Sequence, residues 1–514
     1  MKEDRDHNPL EQIRLLTEEN QLLKAQLDHL KKQLYGSKSE AFDSNQASLF
    51  DMGKLEASEE KDQEPEADKE EKENKKEAKK RSQRAQNLPE NLPRKRIEII
   101  PSEVQQNPDL WERIDGADDV KEILEKVPGY CYIQEIVRPK FVLKDEPFAA
   151  PVQSPAPRTL VQKGFWGHSL SASILTDRYL YALPFYRQSA RFQQYYGIKL
   201  ARSTMSDVAE NVSDALKPIY DAMKKDLLES GYIGVDETPV KFLTIGSELK
   251  GIKQGYFWVY RNANGQVLFD WQTSRKYGCL PQFIGKKFKG VIQCDGYEVY
   301  LTYCIGNSEA KRAACLAHIR RYFLKALDLR PSVIKWILKI IAKIYDIERS
   351  LKLHKANKEQ KERIRKNCSL QYIRLLEKAV IHLLKKNWVL QKSHLGKALN
   401  YALGQLPAMY TYIENGNVEV DNNLVENAIR PTAVGKKNHL FIGSPEAGNR
   451  SAILYSLLLS AKALGVPPRD YLEDIMNRMA ILNPDDVDAI RELTPARWAE
   501  AWHENQLKSH KSAA

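Results

Sequence analysis

The sequence predicts a multidomain α/β protein built on a mixed central sheet, and three observations predict it. The chain has 514 residues, more than one hydrophobic core can organise. From residue 231, strand-like apolar runs alternate with turns and one helix: 231–236, Tyr256–Tyr260, Gln266–Trp271, a helix at 274–285, then 289–294. Two of those runs end on an aspartate, Asp236 and Asp295, and a distant helix start, Asp421–Asn427, carries Glu426.

The N-terminal segment, residues 1–45, carries a heptad seam. Ile13, Leu16, Asn20, Leu23, Leu27, Leu30 and Leu34 alternate spacings of three and four. Ile13 at position a puts Asn20, Leu27 and Leu34 at a, and the remaining leucines at d. A coiled coil is expected, and a lone Asn at a favours a parallel dimer of fixed register. Residues 46–87 read as a charged, disordered linker, because 54–84 are almost all Glu, Lys, Asp, Ala, Gln and Ser. Residues 88–160 form a small β-rich domain, with strands at Arg94–Ile100, Tyr130–Val137 and Arg138–Val142 and a proline-rich end, Ala150–Pro157.

Residues 161–228 turn helical. Ser171–Leu183 is one helix, and Pro184 starts a second that runs to about Tyr195. Tyr196-Gly197-Ile198 is a tight turn, and Ser203 or Arg202 caps a third helix through Val212. This is the outline of a helix-turn-helix. Arg202, Ser203, Thr204 and Ser206 then stand near the helix N-terminus, where base edges are read.

Residues 229–449 hold the core. Asn264-Gly265 lies in the turn between the second and third strands, a hairpin signal. Three strands in hairpin order, a helix and a fourth strand outline a ribonuclease-H-like core. In that topology the first strand is central and the fourth lies beside it in parallel, so Asp236 and Asp295 converge. Trp258 and Trp271 alternate within strands and read as core. A helical insertion at about 320–410 follows, with basic helices at Lys335–Leu351, Glu359–Lys366, Leu370–Lys386 and Leu395–Leu406. Residues 450–514 are again helical, with an apolar face at Tyr455–Leu459.

Composition narrows the class. Net charge is +11, which suits a polyanionic partner. No apolar run approaches the roughly 18 residues of a membrane span. Met1–Asp6 is charged with no apolar segment behind it, unlike a secretory signal. The six cysteines form no Cys-x-x-Cys pair, which fits a reduced, cytoplasmic protein.

The chemistry expected of such an acid set is attack on a phosphodiester. Its negative charge repels nucleophiles, and two Mg²⁺ ions offset that charge and stabilise the leaving oxygen. Asp236 is expected to bridge both ions, with Asp295 on one and Glu426 on the other; Mn²⁺ is expected to substitute. A lone Asp reads as a solvated group or a cap, but two strand ends and a helix read together as a site. Glu237 points to the opposite face of its strand, behind the site or exposed, and Glu298 is a weak alternative ligand. His318 either serves proton or phosphate chemistry or is simply packed. Arg320, Arg321, Arg430, Lys436, Lys437 and His439 are candidate grips on a phosphate backbone.

Several longer motifs carry a resemblance. They are Gly234-Val235-Asp236-Glu237-Thr238-Pro239-Val240, Cys294-Asp295-Gly296-Tyr297, Ala317-His318-Ile319-Arg320-Arg321-Tyr322-Phe323 and Asp421–Pro431. Gly435–Ser444, Asp177-Arg178, Leu183–Gln188 and Leu34–Glu40 add to them. Together they resemble transposases of the insertion-sequence 66 family, in order over nearly the whole chain. The resemblance implies a DDE transposase that acts with Mg²⁺ on the inverted-repeat DNA ends of its own mobile element and joins them to target DNA. It implies Asp236, Asp295 and Glu426 as the triad, and small accessory proteins encoded beside it. Pairing two ends requires a homodimer or higher oligomer, for which the coiled coil is one means. The family usually carries a zinc-binding domain with two Cys-x-x-Cys pairs. Here Ser102–Trp111 and Phe141–Pro147 hold no cysteine, so no structural zinc is expected. A metal-dependent nuclease without strand transfer and a non-catalytic DNA-binding protein are the rival readings.

Overall fold

The structure is a computed structural model and describes residues 129, 131–133, 140–141, 152–153, 158–161, 166–244 and 251–513. The expected heptad helix, the charged linker and most of the 88–160 segment lie outside the described residues. The chain divides into two compact units, Ser37–Gln134 and the rest. Of the first unit, residues 129 and 131–133 are described; they are exposed and without regular structure. The strand expected over Tyr130–Val137 is therefore not formed at Cys131, Tyr132 and Ile133, where no described strand offers a ladder. In the second unit, Lys140–Phe141 (β1) and Val152–Gln153 (β2) pair antiparallel.

Three helices follow: α1 (His168–Tyr179), α2 (Phe185–Tyr196) and α3 (Arg202–Glu229). Gly197, in the left-handed region at φ 69°, ends α2, which suits a residue without a Cβ. The third helix differs from its expected form. Ala201 is its N-cap and no side chain caps it, so neither Ser203 nor Arg202 has that role. It also continues 17 residues beyond Val212, through Pro218, to Glu229. Val212, Leu216, Ile219, Met223 and Leu227 form one buried stripe against the sheet's core, and that burial carries the helix through the proline.

The central sheet has five strands in the order β5-β4-β3-β6-β7. They are β3 (Tyr232–Thr244), β4 (Gly251–Arg261), β5 (Val267–Gln272), β6 (Gly290–Cys294) and β7 (Ala310–Ala314). β3 is central, antiparallel to β4 and parallel to β6. It is longer than the expected 231–236, since β4 pairs with it as far as Thr244. β6 leaves it after Gly234↔Gln293, and Pro239, which has no N–H to donate, lies beyond that point, where of the strands β3 pairs with β4 alone. Between β5 and β6 the helix α4 spans only Cys279–Ile284, and α5 (Glu298–Gly306) joins β6 to β7.

Helices close both sheet edges. Beyond β7 come α6 (Leu316–Lys325), α7 (Pro331–Leu353), α8 (Lys358–Ile364), a π-helical turn at Arg365–Ser369, α9 (Leu370–Leu384) and α10 (His394–Glu414). α10 runs eight residues past its expected end at Leu406, through Pro407, with Met409, Tyr412 and Ile413 buried. Then come α11 (Asn423–His439), α12 (Pro445–Ala463), α13 (Pro468–Met479), α14 (Val487–Arg491) and α15 (Pro495–Ala513). On α12, Ser460 Oγ accepts the Val267 N–H and donates to its carbonyl, and Ser456 Oγ accepts the Phe269 N–H. On α10, Thr411 Oγ1 donates to the Arg312 carbonyl on β7. These hydroxyls satisfy edge groups that an open strand offers to any other strand.

Among the described residues two large hydrophobic cores result, beside a small cluster of Ile174, Phe192, Leu200 and Met205. One joins α3, α12 and α13 to the sheet and includes Trp258 and Trp271, both buried. The other fills the space among α6, α7, α9 and α10 and reaches Val291 on β6. Among the described residues, no helix is long and apolar enough to cross a membrane.

Candidate active site

The sheet register brings the two aspartates side by side. Gly234 pairs with Gln293, and each strand carries its aspartate two residues further on, Asp236 within β3 and Asp295 directly after β6. Adjacent strands lie about 4.8 Å apart. The ends open here because β6 stops while β3 continues. Asp295 Oδ1 accepts the Tyr297 N–H at 2.8 Å, which turns the chain into α5.

Glu426 arrives from across the sheet. Gly234, Asp236 and Thr238 share one face of β3, and α11 lies along that face. Asn422 Nδ2 donates to the Val235 carbonyl at 2.8 Å, and Lys436 Nζ donates to Thr238 Oγ1 and the Pro239 carbonyl, each at 2.7 Å. The approach is close at Gly234, where an added Cβ would stand 2.8 Å from Val425 Cγ2 and 3.0 Å from Asn422 Oδ1. Helix α11 starts at Asn423, and Glu426 lies in its first turn.

Asp236 feels both of the other acids. The Asp236 carboxyl is pushed up to about 8, first by burial, then by Glu237 and Asp295, and also by Glu426. Its Oδ1 accepts the Glu237 N–H at 2.9 Å. Glu237 faces the other way and is not exposed: its side chain is 1% accessible and held by Arg275 and the Tyr300 hydroxyl. Glu298 is exposed at the start of α5.

Glu426 is paired with Arg321 of α6, and its Oε1 lies 3.8 Å from His318 Nδ1. One ligand atom from each of Cys315, His318 and Glu426 falls within 4.8 Å of the others. Cys315 is buried and its thiol is pushed up to about 12, first by burial. Its Sγ accepts the Asn422 N–H at 3.1 Å, which ties the start of α6 to the start of α11. His318 is held below the ordinary imidazole range, by burial and then by Arg321. From the helical segment, α10 covers the Asp295 turn: a Cβ on Gly296 would stand 2.6 Å from the Tyr401 ring and 2.9 Å from Gln405 Nε2.

A family model described as "Transposase IS66 family" matches residues 163–450, more than half of the chain. The chain belongs to this family. A second model, described as "Transposase C of IS166 homeodomain", matches residues 22–97. Relatives include two proteins of Sinorhizobium fredii (strain NBRC 101917 / NGR234). The uncharacterized protein y4jD is 28% identical over 394 residues, covering 74% of this chain and 75% of that protein. The uncharacterized protein y4qI is 28% identical over 403 residues, covering 74% and 72%.

An IS66 transposase acts on DNA, so the placement of the basic residues matters. Arg202, Ser203 and Ser206 are exposed on the first turns of α3, and Thr204 is half-buried. Arg430 and Lys437 are exposed on α11 and Arg320 is half-buried on α6. Two others are engaged inside the protein. The Lys436 ammonium holds α11 to β3, as above, and burial lowers its proton affinity. His439 is half-buried, and burial, then Arg178, pushes it down to about 3, so it is neutral and carries no charge for a phosphate. Sequence reasoning missed Arg275 and Tyr300 on Glu237, Asn422 on β3, and Tyr401 over Asp295. Of these, only Asn422 had a signal, its place one residue before the helix that carries Glu426.

Proposed function

We propose that Asp236, Asp295 and Glu426 are the catalytic acids of this IS66 transposase, on a ribonuclease-H-like core. They serve metal-dependent cleavage of DNA at the inverted-repeat ends of an insertion sequence, and transfer of the freed 3′-hydroxyl into target DNA. One observation carries this reading: the sheet register sets half-buried Asp236 beside Asp295, and after its own desolvation Glu237, Asp295 and Glu426 raise its proton affinity. Glu237 and Glu426 have arginine partners, Arg275 and Arg321, while among the described residues Asp236 and Asp295 have none; two adjacent carboxyls without a cation suit a divalent metal.

The residues fit the group the family implies. Asp236, Asp295 and Glu426 would hold Mg²⁺ or Mn²⁺ ions. Bound there, the ions supply neutralisation of the phosphodiester and of the charge building on its leaving oxygen. The chain's own residues do the rest. Arg430 and Lys437 face solvent on the helix that carries Glu426 and hold the phosphate backbone. Neutral His318 accepts a proton at its imidazole. The first turns of α3, with Arg202, Ser203, Thr204 and Ser206, are the base-reading end of a helix-turn-helix. The heptad segment pairs two chains so that both ends are held, accessory proteins of the same element assist, and the reaction takes place in the cytoplasm.

Oligonucleotides carrying the element's terminal repeats test this. Asp236→Asn is expected to abolish Mg²⁺-dependent cleavage while gel-shift binding persists. Pre-cut ends are expected to join to a plasmid target, which a plain nuclease does not accomplish. Unchanged cleavage by Asp236→Asn would refute the triad.

A further inference from the structure

Glu426 differs from the two aspartates in already having a cation. Arg321 Nη2 donates to Glu426 Oε1 and lies 3.4 Å from His318 Nδ1, which is itself 3.8 Å from the same carboxylate oxygen. A single positively charged nitrogen therefore occupies the corner between a carboxylate oxygen and an imidazole nitrogen. Two of the three groups whose ligand atoms lie within 4.8 Å of one another, and which could hold a cation, thus face this nitrogen.

The backbone of α6 cannot yield, since Leu316, Ile319 and Phe323 are fully buried in the second core. The Arg321 side chain can, because it is 40% exposed. A guanidinium and a divalent ion repel, so each weakens the other's hold on the same carboxylate oxygen. Binding of the ion therefore favours release of the guanidinium.

We propose that Arg321 is an internal placeholder for the cation at Glu426. It fixes that carboxylate in the metal-free protein and swings away when a divalent ion binds. Its guanidinium is then free for a DNA phosphate, with which it forms a charge-assisted pair. This rests on the reading of Glu426 as a metal-holding acid. It makes Arg321 a positioning residue whose release couples metal binding to DNA binding, so that each strengthens the other.

The test is Mn²⁺ titration of the full chain without DNA, followed by electron paramagnetic resonance of the free ion. Arg321→Gln is expected to bind Mn²⁺ about tenfold more tightly than wild type, and Arg321→Lys to fall between them. Arg275→Gln removes an equal charge from the same acid cluster, at Glu237, and is expected to gain less. In a second measurement, Ca²⁺ is expected to tighten wild-type binding to a terminal-repeat duplex and to have a smaller effect on Arg321→Gln. Equal or weaker Mn²⁺ binding by Arg321→Gln, or an equal gain in Arg275→Gln, overturns the placeholder while leaving the triad standing. Identical Mn²⁺ binding by wild type and Asp236→Asn removes the triad, and the placeholder with it.

Discussion

Arg365 in the helical segment and Asp236 in the sheet both carry an ionisable group into the interior, and their surroundings differ. Arg365 is fully buried, yet Nε and Nη2 donate to the two oxygens of Glu348 at 2.8 Å. Its Nη1 donates to the carbonyls of Tyr412, Asn415 and Val418, and its guanidinium stacks over the Tyr412 ring at 4.2 Å. Each of its three nitrogens donates, and the π-helical turn that Arg365 opens places it there. Asp236 meets other acids instead, and its carboxyl is pushed up to about 8, first by desolvation and then by Glu237 and Asp295. The first arrangement is what a fold does with a charge it uses to stay folded. The second leaves a carboxyl with raised proton affinity beside another acid, the kind of surroundings that functional acids often have.

The largest effects separate the two regions outright. Asp236→Asn is expected to lower DNA cleavage about a thousandfold or more and to raise the melting temperature of the metal-free protein. Arg365→Met does the reverse: it leaves Glu348 buried without its partner and is expected to cost about 3–5 kcal/mol in urea unfolding. A destabilised Asp236→Asn, or a neutral Arg365→Met, would break the contrast.

Next in size is Gly234→Ala. The new methyl group meets Val425 and Asn422 and pushes α11 off β3. A loss of about 1–3 kcal/mol is expected, together with reduced cleavage, since Glu426 moves with its helix. Equal stability and activity would show that α11 does not need this close seat.

The pH dependence sharpens the contrast further. The Asp236 carboxyl is raised from 3.8 to about 8, so between those values the folded chain keeps a proton that the unfolded chain releases. Its contribution to stability is complete below the lower value and lost as pH rises through about 8. Melts of the metal-free protein across that window are expected to fall with pH, and to fall less in Asp236→Asn. A parallel course for the two proteins would remove Asp236 as the source.

The smallest effects distinguish the lysines of α11. Lys436→Met loses internal hydrogen bonds and is expected to cost about 1 kcal/mol, with the salt dependence of DNA binding unchanged. Lys437→Ala is expected to leave stability alone and to reduce the slope of log affinity against log salt by about one.

Much of this was legible in the sequence, for reasons that can be named. The β4–β5 hairpin was readable because strand alternation and Asn264-Gly265 are local signals. The two aspartates were readable because each closes an apolar run. β7 was not readable: Ala310-Lys311-Arg312-Ala313-Ala314 has no strand character of its own and is a strand because β6 offers it a ladder. The length of α3 was missed because Pro218 reads as a break, while its buried stripe belongs to a core that only the folded chain makes.

The sequence alone determined the local periods, the acids at the strand ends and membership of a transposase family, since these depend on neighbours within a few residues or on motif order. Tertiary structure decided which charges are paired. Arg321 and Glu426 lie 105 residues apart, and no pattern along the chain joins them. Lys436 and His439 stand in a basic stretch that reads as a phosphate grip, and packing against β3 and Arg178 turned both inward. Charge in a folded protein is set by what surrounds a group in space, and sequence order does not encode that.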